Sequence, residues 1–161
     1  MSSRTAGAAR GARDIRWRAV AFGWIVAVLT GIVISPVLRL LYDFFAEPPV
    51  ERGELTVALV VISVLSGFLS YIVGGFVAAK MARFSGGKHG ALTAVFGLIL
   101  GIILAIVLAL FGIIFAEGVA VPPVSFGLTG AALVAGLLLF MANLFGGFVG
   151  GKLGEPSRLD F

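Results

Sequence analysis

The chain has 161 residues, of which 60% are hydrophobic and only 12% charged, and its mean hydropathy is +1.12. An average soluble domain is about 25% charged, so 12 basic and 8 acidic side chains are too few to cover a water-soluble domain of this size. The absence of cysteine excludes disulfides, thiolate metal sites, iron–sulfur clusters and cysteine nucleophiles. The composition predicts one compact membrane domain.

Four apolar blocks follow one another along the chain, each long enough for the roughly 20 helical residues that cross hydrocarbon. The blocks are continuous rather than alternating, and backbone groups in lipid must be satisfied within the segment, so helices are expected. The predicted fold class is all-α, a polytopic protein with four transmembrane helices. The predicted parts are a disordered basic tail 1–18, a membrane domain 19–151 with spans at 19–42, 55–79, 91–115 and 124–149, and a short tail 152–161.

The first span follows a basic segment, a combination that also begins signal peptides. A signal peptide has an apolar core of roughly 7–15 residues and then a cleavage site, whereas this run is longer and ends in Arg39, Tyr42 and two phenylalanines. An uncleaved span is therefore expected. Arg39 near its outer end is either an anion site or buried ion-pair partner, or a snorkelling side chain that pairs with Asp43, and the second interpretation is favoured.

Every span carries small residues at four-residue spacing, which places them on one helix face. In lipid, small residues let two backbones approach closely, whereas apolar contact alone does not drive helices together. Because Gly, Ala and Ser are abundant here, one row means little, but a row in each span indicates tight packing, within one chain or between chains. The predicted helix-packing residues are Gly23, Gly31, Gly74, Gly75, Gly97, Gly101, Gly146, Gly147 and Gly150.

Few polar groups lie within the predicted membrane spans. Asn143 in the middle of the fourth span is expected to find a partner across a helix interface, or to line a polar pathway with Arg39 and Tyr71. No Asp, Glu, Lys or His lies near the middle of any span, although proton-coupled pumps usually carry a membrane-embedded acid. No catalytic constellation is evident, so an enzyme is not expected.

The segment Gly86-Gly87-Lys88-His89 between spans two and three predicts a short, flexible cytoplasmic loop. The sequence from Gly146 to Lys152 matches the start of a phosphate-binding loop, but Leu153 replaces the required Ser or Thr and no strand precedes it. His89, the only histidine, is expected to be solvated at the interface. It has no cysteine or acidic cluster nearby, so neither a metal site nor a cofactor is predicted.

The charges divide between the two sides of the membrane. Ten of the twelve basic residues precede span one, lie between spans two and three, or follow span four, while the two opposite loops are acidic. The positive-inside rule predicts a plasma-membrane protein with cytoplasmic N- and C-termini. The basic tail is expected to bind anionic lipid rather than nucleic acid, because topology already accounts for its charges.

The two halves of the chain resemble each other. Gly74-Gly75-Phe76-Val77 at the end of span two recurs as Gly146-Gly147-Phe148-Val149 at the end of span four, each with a lysine three positions further on. Phe45-Ala46-Glu47 recurs as Phe115-Ala116-Glu117 after span three. Coincidence among apolar sequences is the alternative, but a duplicated two-helix hairpin is favoured, which gives a parallel repeat about an axis along the membrane normal.

Gly74-Gly75-Phe76-Val77-Ala78 ends the second span, a basic patch with Lys80 and Arg83 follows, and His89-Gly90-Ala91 precedes the third span. With these motifs, the segment from Gly67 to Gly101 resembles a group of uncharacterised small bacterial and archaeal membrane proteins. The resemblance covers about a quarter of the chain, implies four spans, and transfers no functional residue.

Two functions are therefore weighed. The favoured one is a structural or accessory membrane protein, a homo-oligomer or a small subunit of a larger membrane complex, packed through Gly, Ala and Ser faces. The alternative is a small transporter or channel with Arg39 and Asn143 on a polar pathway.

Overall fold

The computed structural model describes residues 15–45, 57–115 and 130–155. They form four α-helices, and no strand occurs in these ranges. All four helices are long and apolar enough to cross a membrane, which confirms the all-α prediction and makes the chain a multi-pass membrane protein. The helices are α1 (Trp17–Phe45), α2 (Val57–Ala82), α3 (Gly86–Phe115) and α4 (Gly130–Gly154). Residues 1–14 of the predicted basic tail and 156–161 of the C-terminal tail lie outside the described ranges.

The connection between α2 and α3 differs from the prediction. It consists only of Arg83, Phe84 and Ser85, and Arg83 and Ser85 have positive φ angles of 65° and 46°. These left-handed conformations turn the chain sharply between two helices. The flexible loop expected at Gly86 to His89 is wrong, because these residues form the first turn of α3 and Gly86 packs against the carbonyl oxygen of Gly151.

Helix α2 lies at the centre of the bundle and packs against the other three helices, most extensively against α4. Helix α3 also contacts α1 and α4, whereas α1 and α4 do not touch within the described ranges. A pseudo-twofold axis would map the α2–α3 contact onto α4 and α1. The two contacts that this axis would make equivalent are therefore unequal in the described ranges, and the hairpin duplication stays a prediction.

The buried core lies at one end of the bundle. Ala19 and Val20 near the start of α1 are buried there, together with His89 and Thr93 at the start of α3. Further along α3 and α4, apolar side chains are exposed, as expected for helices that face hydrocarbon. We call the packed end the basic end, because it carries Arg16, Arg18, Lys80, Arg83, Lys88 and Lys152.

Candidate functional site in the glycine-packed bundle

The α1–α2 interface is formed by small residues of both helices. A Cβ atom added at Gly74 would lie 2.5 Å from the carbonyl oxygen of Gly23 and 2.7 Å from the Cβ of Ala27. Real Cβ atoms do not approach other atoms so closely, so glycine is required for this separation of the backbones. Gly31 continues the same face, where an added Cβ would lie 3.3 Å from the Ser70 hydroxyl oxygen.

Helix α4 packs its glycines directly on the α2 backbone. A Cβ added at Gly146 would lie 2.5 Å from the carbonyl oxygen of Phe68, and one added at Gly154 would lie 2.5 Å from that of Phe76. Gly150 between them faces the carbonyl oxygen of Ile72 at still closer range. The predicted residue Gly75 of α2 lies in the same interface, against the backbone of Gly147.

A second glycine column of α4 packs on α3. Gly147 and Gly90 face each other's carbonyl oxygens, and Gly151 and Gly86 do the same one turn further on. The sequence reasoning missed Gly86, Gly90 and Gly151. Gly86 and Gly90 are four residues apart, as are Gly147 and Gly151, and this spacing could have identified them. These contacts bring α2, α3 and α4 into backbone contact at the basic end.

Three glycines towards the other end behave differently. Gly97 packs against the side chains of Trp24 and Tyr71, and a Cβ added there would lie 2.8 Å from the Trp24 Nε1. Gly101, one turn further along α3, was expected to pack, but an added Cβ would meet no described atom within 4 Å. The same is true of Gly136 in α4. Within one described chain, Gly101 and Gly136 are therefore open.

The open glycines border a groove, which we call the α3–α4 groove, with a cavity volume of about 370 Å³. Its walls are mostly apolar, but Tyr71 and Asn143 contribute polar groups. The Asn143 Oδ1 is buried against Gly67 and has no hydrogen-bond partner in the described part of the chain. The lining residues are Tyr71, Ala94, Gly97, Leu98, Gly101, Ile102, Ala105, Gly136, Leu139, Phe140 and Asn143.

Of the three residues predicted to line a polar pathway, two meet in the α3–α4 groove and one does not. Tyr71 and Asn143 both line it, from α2 and α4. Arg39 lies on α1, where its Nε is 4.0 Å from Asp43 Oδ2 and both side chains are more than one-third exposed. This (i, i+4) pairing is the geometry expected from the favoured interpretation of Arg39, a snorkelling side chain that pairs with Asp43.

His89 is not the solvated residue that the sequence suggested, since only 1% of it is exposed. Its Nε2 accepts a hydrogen bond from the Arg16 backbone N–H at 3.1 Å, and its Nδ1 lies 3.1 Å from the Ser85 carbonyl oxygen. Both bonds form when the Nδ1 carries the proton. The ring therefore joins the entry to α1 with the turn before α3.

Aromatic and polar contacts surround His89, and we call His89 together with Arg16, Phe84 and Thr93 the histidine cluster. The Phe84 ring meets the His89 ring edge-to-face, with 5.1 Å between centroids, and the Arg16 guanidinium carbon lies 5.5 Å from the Phe84 centroid. Thr93, fully buried, donates its hydroxyl to the His89 carbonyl oxygen at 2.9 Å. One pattern in the sequence indicates this cluster: a lone histidine stands four residues before a threonine at the start of an apolar helix.

The described residues contain no group of three His, Asp or Glu side chains that could hold a metal ion. Comparison of the chain with protein-family models, with curated proteins and with solved structures found no match.

Proposed function

We propose that the chain is a structural or accessory membrane protein that assembles through the α3–α4 groove, either with further copies of itself or as a small subunit of a larger membrane complex. The observation that carries this proposal is the contrast between two classes of glycine. Gly74 and Gly146 are occupied by internal helix contacts, whereas Gly101 and Gly136 are open within the described chain.

In lipid, an open small-residue face has a specific use, because it lets the backbone of another helix approach closely. Ala105 extends the face by one further turn from Gly101 and is also exposed. Tyr71 and Asn143 add polar groups, and an interhelical hydrogen bond in a membrane is worth about 1–2 kcal/mol at most. The groove therefore combines close approach with a polar contact, the two features that favour helix association in membranes.

The test replaces an open glycine by a large side chain. Gly101→Leu and Gly136→Leu are each expected to weaken self-association or partner capture at least about tenfold, because leucine fills the groove. The folded protomer should keep its thermal stability, since an added Cβ at either position meets no described atom within 4 Å. Analytical ultracentrifugation in detergent, or quantification of the co-purified partner, measures the association.

Two control variants separate assembly from folding. Gly130 is equally open but lies outside the groove, so Gly130→Leu should leave association unchanged. Gly74→Leu should instead lower protomer stability by about 1–3 kcal/mol or more, because it overpacks the α1–α2 interface. Identical association in wild type and both groove variants would refute the assembly role.

A second candidate, a small transporter or channel, is supported by the meeting of Tyr71 and Asn143 in one groove. On this hypothesis, Asn143→Leu abolishes flux of the transported ion or solute into liposomes. Arg39→Leu leaves the flux unchanged, because Arg39 pairs with Asp43 away from the groove. Flux that persists in the Asn143→Leu variant, or no flux of any tested ion or solute with correctly inserted wild type, would exclude this candidate.

A further inference from the structure

A second concave surface lies at the basic end, remote from the α3–α4 groove. It opens between the start of α1 and the end of α2 and has a volume of about 420 Å³. Arg16, Trp17, Arg18 and Ala19 line it from the α1 side, and Met81 lines it from α2. We call it the α1–α2 cleft. None of its residues takes part in the assembly proposed above.

The charge at this end favours an anionic ligand. Arg16 and Arg18 both line the cleft, and a guanidinium group offers a planar fork of donors that matches phosphate oxygens. Lys80, Arg83 and Lys88 lie at the same end of the bundle. The acid described at this end is Glu155, whose Oε2 lies 3.3 Å from the Lys152 Nζ on α4, and within the described ranges α4 is not in contact with α1.

Arg16 is held in place on two sides. Its backbone N–H donates to the buried His89 Nε2, and its guanidinium lies over the Phe84 ring. Ala19, which is buried, also lines the cleft. A charged side chain that already packs against a ring loses less conformational entropy when it binds a ligand, so this geometry suits a defined site better than diffuse attraction.

The remaining walls are apolar and face the bilayer edge. Trp17 is 57% exposed and Met81 is 41% exposed. Tryptophan at this position typically rests at headgroup level, where an amphipathic ring meets both hydrocarbon and water. Arginine donors beside exposed apolar side chains match a phospholipid, whose phosphate binds the guanidinium groups while its glycerol and acyl chains contact Trp17 and Met81.

We propose that the α1–α2 cleft binds one anionic phospholipid through its phosphate headgroup, with Arg16 and Arg18 as the phosphate-binding residues. The predicted attraction of anionic lipid by the basic tail 1–18 includes Arg16 and Arg18, but a site for one lipid differs from it because binding depends on these two particular side chains. The site is also independent of the assembly role, since occupancy is measured per protomer.

The experiment uses the full chain in detergent micelles, titrated with phosphatidylglycerol or phosphatidylcholine and followed by native mass spectrometry. Wild type is expected to retain one phosphatidylglycerol in preference to phosphatidylcholine. Arg16→Gln and Arg18→Gln should each weaken phosphatidylglycerol binding about fivefold, the effect of one basic residue at an anionic surface. Lys152→Gln is the matched control, because it removes the same charge from the same end but outside the cleft.

Three results would overturn the proposal. Equal weakening by Arg18→Gln and Lys152→Gln would mean diffuse attraction to the basic end. Equal retention of the two lipids would mean that charge does not select the ligand. Displacement of the lipid by millimolar inorganic phosphate would mean that the cleft binds the free ion. The hydrogen bond to His89 and the contact with the Phe84 ring come from Arg16 and not from Arg18, so Arg18→Gln keeps the test valid if Arg16→Gln disturbs folding.

Discussion

At the scale of single residues, His89 connects parts of the chain that lie 73 positions apart. Its ring accepts from the Arg16 N–H, and it packs against Phe84 in the turn between α2 and α3. The Arg16 carbonyl in turn accepts from the N–H groups of Ala19 and Val20 in the first turn of α1. The histidine therefore fixes the point at which the chain enters the membrane domain.

Replacing His89 by alanine removes the acceptor of the Arg16 N–H and leaves a cavity in a buried site. Loss of one partner of a buried hydrogen bond costs about 1–3 kcal/mol. We expect the Arg16 amide of His89→Ala to exchange with solvent about fivefold to a hundredfold faster, as measured by hydrogen exchange and mass spectrometry of the N-terminal peptide.

Lys88→Ala is the matched control for that measurement, because Lys88 is the exposed neighbour of His89 in the same helical turn. Its N-terminal peptide should exchange at the wild-type rate. If His89→Ala also exchanged at the wild-type rate, the hydrogen bond to Arg16 would have no role in holding the start of α1.

At the scale of helices, hydropathy predicts the elements well because it is a local property. The run of apolar residues defines each span wherever its neighbours lie, and the observed helices begin or end within a few residues of the predicted spans in most cases. The first six residues of predicted span four, 124–129, lie outside the described ranges. The start of α3 is an exception. Gly86 and Gly87 suggested a loop, but the α4 backbone packs against Gly86, and that non-local contact is not encoded in local composition.

Helix α4 explains why a row of small residues does not identify its partner. Successive residues of a helix point about 100° apart, so the doublets Gly146-Gly147 and Gly150-Gly151 form two columns that face different neighbours. The column with Gly146 meets α2 and the column with Gly147 meets α3, although the Gly147 backbone also contacts Gly75 of α2. The four-residue spacing alone assigns neither partner, and it also marks Gly101, where an added Cβ would meet no described atom within 4 Å.

The polar groups were only partly predictable for the same reason. Asn143 and Tyr71 are conspicuous in sequence because they interrupt apolar spans, yet their common position in one groove depends on how α2 and α4 cross. His89 was misjudged because a lone histidine beside glycines and a lysine resembles a solvated one. Its burial depends on contact with Arg16, which lies 73 positions earlier in the chain.

At the scale of the whole molecule, the bundle has a tightly packed basic end and an open opposite end. Glycine contacts concentrate at the basic end, where backbones touch, while Gly101 and Gly136 lie open further along α3 and α4. The two proposed binding surfaces follow this division. The α1–α2 cleft lies at the charged end beside Arg16, and the α3–α4 groove lies among apolar side chains.

This division gives a prediction for orientation. Lys and Arg in short loops resist translocation, so the basic end, which carries Lys88 and Lys152, is expected on the cytoplasmic side. The chain has no cysteine, so a single introduced cysteine reports its own position without background. With a membrane-impermeant maleimide, Lys88→Cys and Lys152→Cys should be labelled only after the cells are permeabilised. Asp43→Cys, just beyond the predicted end of span one and at the opposite end of the bundle, should be labelled in intact cells. Labelling of Lys88→Cys in intact cells would reverse the orientation and place the α1–α2 cleft in the outer leaflet.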